Sequence, residues 1–490
     1  MNRKIFLKSQ SKWILFAILL IGSVLRVYNL AEENLWIDEG ISLKIANLDV
    51  PHIIKDRALH FHTPLYFIIL HYWISIFGNT EFSVRFLSVI FGFLTIFMLY
   101  KVGALFFDPE TGILGALLAA LSIFHIYYSQ EARMYSMAGA LSLFSIYFFV
   151  QLFKERTSIP PALGYIISST LLIYTHYIGL FVIAAQNIYI GILFIQSNNR
   201  RGERASFLKK WALLQSISIV LILPWIKIIL SVTGTGHFID EMLRGERYIF
   251  EFPMLQLNTI TISFREWASN SVVLLWLFLI SAFFALISYR NSKDSNRKKS
   301  VLFILIWLFA TLIFVCLLLS PLRYRPSYTI AASLAFYLLI AKGIKNINSK
   351  FIKIAMVTII ISISFINIPH YYIKNYKQQW KAASDYIAAR IKPDELLLFL
   401  DFRTEYVFDY YGKDINSIRK IFSEDNIDKG IYDKIWVVQG KPNKSVKKLL
   451  NTAFDNSYMI VEHKKYSGID IINQTLEIYR AERPDKMKGE

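Results

Sequence analysis

From residue 13 to residue 369 this chain is a succession of apolar runs, each about twenty residues long, the length a helix needs to cross a lipid bilayer. They lie at 13–30, 83–106, 112–129, 134–153, 162–176, 178–196, 211–231, 271–289, 301–319, 327–343 and 354–369. Inside a bilayer no water is at hand for backbone polar groups, so such runs must be helical. The pattern predicts an α-helical polytopic membrane protein with about eleven transmembrane helices. One further run, 64–77 (PLYFIILHYWISIF), is short for a span and reads as an interfacial helix. The stretch Trp13–Tyr28 has no small-x-small cleavage site before its polar loop and reads as a retained first helix, not a signal peptide.

Charge gives this topology a direction. The chain has 54 Lys and Arg against 36 Asp and Glu, a formal net charge of +18. In a soluble protein that excess would point to nucleic acid. Here the basic residues sit between apolar runs, so no nucleic-acid partner is expected. They gather in alternate loops: Arg3 to Lys12, Lys154 and Arg156, Arg200 to Lys210, Arg290 to Lys299, and Lys342 to Lys353. The intervening loops are acidic or mixed. This positive-inside pattern places the N-terminus in the cytoplasm and, after an odd number of crossings, the C-terminus outside a cell membrane. The single cysteine, Cys316, lies in an apolar run and allows no intrachain disulfide.

Near Pro369 the chain turns polar. Asn375–Arg390 has the spacing of an amphipathic helix, and Val446–Phe454 also reads as helical. Glu395–Asp401, Ile435–Gln439, Tyr458–His463 and Ile471–Tyr479 read as strands. The division expected is a transmembrane domain over 1–369 and a small extracytoplasmic α/β domain over 370–490.

Polar residues gather at the outer ends of the predicted helices in four clusters. Trp36-Ile37-Asp38-Glu39-Gly40 puts adjacent carboxylates just before a helix expected from Ile41. They could act as a general base, hold a cation, or cap the helix. His60-Phe61-His62-Thr63-Pro64-Leu65-Tyr66 opens the interfacial helix, where free N–H groups favour an anion and paired histidines allow a metal. Tyr127 to Ser136 makes a tight turn carrying Glu131 and Arg133. At this depth they need a wet cavity or each other. Pro321-Leu322-Arg323-Tyr324-Arg325-Pro326 offers two guanidiniums suited to a phosphate, whether a substrate's or a lipid headgroup's. The loop 232–270 adds further charges. No nucleotide-binding motif accompanies them, and a lipid-linked donor would remove the need for one.

Taken in order and topology, LWIDEG, HTPLYFIILHYWISIFGNTEFSVRF and its continuation, SIFHIYYSQEARMYSMAGALSLFSIYFF, YTHYIGLF and PLRYRPSY resemble the GT-C class of polytopic glycosyltransferases. The branch is the one that includes protein O-mannosyltransferases and the lipid A aminoarabinose transferase. Thr63 departs mildly from the Pro-Pro often found there. The resemblance implies a hexosyltransferase-type enzyme using a polyprenyl-phosphate-linked sugar, inverting, with a lipid, glycan or protein acceptor outside the membrane. It maps the catalytic acid pair onto Asp38 as general base and Glu39 as its orienting or acceptor-contacting neighbour. By position, donor-phosphate binding falls to Arg133, Arg323, Arg325 and His62, supported by Glu131, Tyr135, Tyr66 and Tyr324. It assigns no metal ligands and demands no cofactor, while the acid pair leaves room for a divalent cation. Two other functions fit the topology: a transporter or flippase of lipid-linked sugars, which needs helices broken at mid-membrane, and a non-catalytic membrane assembly subunit.

Overall fold

A computed structural model describes residues 2–154, 159–196, 201–234, 253–318, 325–374, 377–412, 415, 418–421, 432–440, 446–454, 457–467 and 475–483. The helices are α1 (Asn2–Val27), α2 (Ile37–Ala46), α3 (Val50–Leu59), α4 (Leu65–Phe77), α5 (Glu81–Phe106), α6 (Pro109–Leu121), α7 (Ile123–Ser129), α8 (Tyr135–Lys154), α9 (Ile159–Thr175), α10 (Ile178–Gln196), α11 (Arg201–Thr233), α12 (Pro253–Trp267), α13 (Val272–Asn291), α14 (Ser295–Leu318), α15 (Ile330–Asn346), α16 (Lys350–Ile373), α17 (Trp380–Ala388), α18 (Phe402–Tyr411) and α19 (Val446–Ala453). The strands are β1 (Leu396–Phe399), β2 (Ile418–Ile421), β3 (Lys434–Gln439), β4 (Met459–Ser467) and β5 (Thr475–Glu482). The chain forms two compact units. The first holds Met1–Tyr28, Asp49–Ile76 and Arg85–Tyr371; the second holds Asn29–Leu48, Phe77–Val84 and Tyr372–Glu490.

The first unit is helical and the protein is a multi-pass membrane protein. Among the described residues eight helices are long and apolar enough to cross a membrane, nine if α6 and α7 count as one bent span. The short run expected to lie at the interface is α4, 13 residues long, and α9, at 17 residues, is a second apolar helix too short to be counted among the eight. The single helix expected over 112–129 is in fact two, bent by 64°. Ser122 sits at the break in extended conformation (φ −71°, ψ 117°), and its hydroxyl accepts the His125 N–H. A serine in that posture caps the second helix and ends the first. Arg26 fastens the break from α1. Its fully buried guanidinium donates to the carbonyls of Ala119 (3.0 Å) and Ala120 (3.2 Å) at the end of α6, and to Ser129 Oγ (3.2 Å) on α7. Those carbonyls are the negative end of the α6 dipole.

The second unit is built on a five-stranded sheet of order β2-β1-β3-β5-β4. β1 pairs in parallel with β2 and β3, and β5 pairs antiparallel with β3 and β4. Alternation along the strands divides its side chains between two cores. Leu397, Phe399, Trp436 and Val438 face Trp380 and Ile387 of α17 and Val407 and Phe408 of α18. Leu396, Leu398, Ile435 and Val437 face Val446, Leu449 and Leu450 of α19. Because both faces are covered, β1 is buried at all four residues, as its unbroken LLLF requires. α17, α19, β1, β3, β4 and β5 fall where strand and helix patterns are read in the sequence; α18 and β2 do not stand out there. Ile37 of α2 is a member of the first core. The first loop after α1, assigned to the membrane domain by a linear division at residue 370, thus packs into the fold of the soluble one.

Candidate functional site

Two polar constellations stand out, one in each unit. In the second unit the acid pair lies inside the first turn of α2, which begins at Ile37 and not near Ile41. Packing explains the earlier start: Leu35, Trp36 and Ile37 are buried, which pins the chain at the point where the helix must begin. At Gly40 an added Cβ would collide with Val407 of α18, so only glycine lets the two helices approach this closely. The carboxylates then part company. Glu39 is fully buried, accepts the Trp36 N–H at 3.3 Å and pairs with Lys377 Nζ at 3.1 Å, a lysine itself 4% exposed. Asp38, one position earlier, is half-buried. A buried charge of this kind is tolerated because it is matched by an opposite charge and a backbone donor. Glu39 is therefore a structural anchor for the segment, and Asp38 is the member of the pair with access to solvent.

In the first unit the tight turn after α7 brings a second group together. Arg133 is 7% exposed and Glu131 1%. The turn is closed by the Arg133 N–H donating to the Glu131 carbonyl at 2.7 Å. The guanidinium lies 5.9 Å from the Tyr135 ring centroid, a cation–π distance. Tyr135 in turn contacts His176 and Tyr328, with centroids 5.8 and 6.5 Å away. Tyr328 donates its N–H to the Arg325 carbonyl at 3.0 Å, which brings Arg325 within one turn of this aromatic group. On the other side Ser88 Oγ donates to the Arg133 carbonyl at 3.2 Å and meets the Tyr66 hydroxyl at 3.3 Å.

Arg57 on α3 joins this group. Burial pulls its pKa below the ordinary value, its hydrogen bonds to Asp56 push it back up, and the like charge of Arg133 lowers it again. Its guanidinium stacks on Phe67 at 4.7 Å, and its carbonyl accepts the exposed His62 N–H at 2.9 Å. The structure thus joins Arg133, Tyr135, Tyr66, Glu131, His62 and Arg325 into one neighbourhood; Arg323 and Tyr324 lie outside the described residues, as do residues 235–252 of the loop 232–270. His60 sits in the open, bonded to the Asp56 carbonyl at 2.9 Å. Among the described residues no three His, Cys, Asp or Glu side chains converge as a metal-holding group.

Sequence reasoning missed Arg57, His176 and Lys377 as contributors. His176 had a signal, the polar break Thr175-His176-Tyr177 between apolar runs. Arg57 and Lys377 had none, because their partners are set by tertiary packing.

Residues 61–228 match a family described as dolichyl-phosphate-mannose-protein mannosyltransferase. No curated protein matches the chain in sequence. Among solved structures, ArnT from Cupriavidus metallidurans bound to undecaprenyl phosphate is similar over 96% of this chain and 98% of its own, at 11% identity and a TM-score of 0.62. The apo state of that protein is similar at 12% identity and a TM-score of 0.61 over the same shares. The oligosaccharyltransferase of Archaeoglobus fulgidus, in complex with Zn and sulfate, is similar at 11% identity and a TM-score of 0.56, over 83% of this chain and 62% of its own. At these identities the likeness is one of fold.

Proposed function

We propose that this chain, whose fold is similar to that of ArnT, is a polytopic glycosyltransferase of the GT-C type that moves a sugar from a polyprenyl-phosphate donor to an acceptor on the extracytoplasmic face of the cell membrane. The observation that carries this reading is the coincidence of two things. The fold is matched almost end to end by a protein that holds a polyprenyl phosphate. Two buried guanidiniums, Arg57 and Arg133, stand within electrostatic reach of each other in a chain whose sequence has no nucleotide-binding motif. Asp56 already pairs with Arg57; a lipid phosphate would add an anion beside both guanidiniums.

In the proposed reaction Arg133, with Arg57 beside it and Arg325 nearby, neutralises the donor phosphate. The acceptor hydroxyl oxygen attacks the anomeric carbon while the bond from that carbon to the phosphate oxygen breaks. The phosphate keeps the electron pair and leaves on its lipid. Asp38 takes the hydroxyl proton, and single in-line displacement inverts the anomeric configuration. The leaving group is already good, so positioning and charge neutralisation supply most of the acceleration. The test is to incubate the purified full chain with a panel of polyprenyl-phosphate hexoses and pentoses and measure free polyprenyl phosphate. Release with at least one donor is expected. Transport of an intact lipid-linked sugar across proteoliposomes without release would instead support a flippase.

A further inference from the structure

We propose that His176 holds the donor's phosphate together with Arg133, donating its Nε2–H to a phosphate oxygen as an uncharged imidazole. This rests on the glycosyltransferase reading above and adds a binding residue to its donor site.

His176 stands in the break between α9, which ends at Thr175, and α10, which begins at Ile178. The break is pinned on both sides. Thr63 Oγ1 donates to the Thr175 carbonyl at 2.7 Å, and Trp225 Nε1 of α11 donates to the Tyr177 hydroxyl at 3.1 Å. Between these anchors the imidazole packs against two phenol rings, with centroids 5.8 Å from Tyr135 and 5.6 Å from Tyr328. Tyr135 is the ring over which the Arg133 guanidinium sits, and the charge of Arg133 acts on the imidazole itself.

The two ring nitrogens have different duties. Nδ1 accepts the Ile178 N–H at 3.1 Å. An N–H aimed at Nδ1 needs its lone pair, so the ring is neutral and carries its proton on Nε2. Among the described residues Nε2 has no hydrogen-bond partner, and the residue is half-buried. An anion drawn to Arg133 therefore adjoins a donor that has no other duty. A protonated histidine would repel Arg133, whereas a neutral one adds a donor without adding a like charge. Its hydrogen bond to a phosphate is charge-assisted, and it strengthens as the departing phosphate takes up the electron pair.

The test separates the two nitrogens. Asn places its amide oxygen where Nδ1 stands, so His176→Asn keeps the Ile178 bond as an Asx-turn and loses the distal donor. Gln places its amide nitrogen near Nε2, so His176→Gln keeps the distal donor and loses the Nδ1 acceptor. The full chain in nanodiscs is titrated with undecaprenyl phosphate and with undecaprenol, which has the same tail without the anion. The natural chain is expected to prefer the phosphate. His176→Asn is expected to weaken undecaprenyl phosphate by on the order of tenfold, the scale of a hydrogen bond to a charged group, while His176→Gln stays within about threefold. Undecaprenol binding should be the same in all three. Undiminished phosphate affinity in the Asn variant, equal losses in both variants, or a loss shared by undecaprenol overturns this proposal alone. A natural chain with no preference for the phosphate overturns the donor reading and this proposal with it.

Discussion

Asp38 and Arg26 are both charged residues at the margin of an apolar run, and the fold uses them in opposite ways. Asp38 keeps partial access to solvent in the first turn of α2. Asp38→Asn preserves shape and removes basicity, so transfer is expected to fall by on the order of 10³-fold, the usual worth of a positioned base. Affinity for the labelled donor should stay near that of the natural chain, and wild-type turnover would remove Asp38 from the role. Arg26 is buried completely and spends its donors on Gly22, Ala119, Ala120 and Ser129. Arg26→Leu strands the last carbonyls of α6 without partners. It is expected to cost about 3 kcal/mol, since each orphaned acceptor costs about 1–3, read as a lowered unfolding midpoint in detergent. Arg26→Lys should recover only part, lacking the planar fork. Gly92→Val should destabilise the same place, because a Cβ there runs into Ser129 Oγ and lies 2.9 Å from Arg26 Nε. The carboxylate pair was visible in the sequence because it interrupts polar loop with acid. Arg26 was not, because its partners across α6 and α7 lie 93 to 103 positions away and no local pattern announces them.

Helices and strands in this chain were legible where burial is one-sided or complete, and obscure where an element is short and mixed. The long apolar runs and the LLLF and IWVVQ strands declare themselves by composition. Ser122 hides a bend inside a run that stays apolar on both sides, and β2 (IRKI) is too short and too polar to stand out. The start of α2 is the case that bears on function. A polar DE pair before an apolar stretch reads as a cap, yet burial of Trp36 and Ile37 pulls the helix four residues earlier and places Glu39 opposite Lys377, 338 positions along the chain. That pair is open to a double-mutant cycle. Glu39→Gln leaves a buried ammonium unmatched and Lys377→Met leaves a buried carboxylate unmatched, each expected to cost about 3–5 kcal/mol. Removing both together should cost less than the sum by about 3 kcal/mol or more. Additive losses in chemical unfolding would show that the two side chains are near each other without being energetically coupled.

For the whole molecule, the consequential property is direction across the membrane, and it follows from where the charge of +18 sits. The segment joining α13 to α14 carries Arg290, Lys293, Arg297, Lys298 and Lys299, and the one joining α15 to α16 carries Lys345 and Lys350. We propose that clusters of this size are held on the cytoplasmic side. In the proposed orientation the C-terminal residues face the outside, the face on which the proposed acceptor would have to be met. Cysteine chemistry can read this, because Cys316 is the chain's single cysteine and is buried. In a Cys316→Ser background, Lys293→Cys and Lys465→Cys each place one thiol at an exposed position, the first between α13 and α14 and the second on β4. A membrane-impermeant maleimide applied to intact cells is expected to label the Lys465 position and to reach the Lys293 position only after permeabilisation. The reverse pattern would put the soluble unit in the cytoplasm, where nucleotide-sugars are at hand, and the argument for a lipid-linked donor would lose its reason.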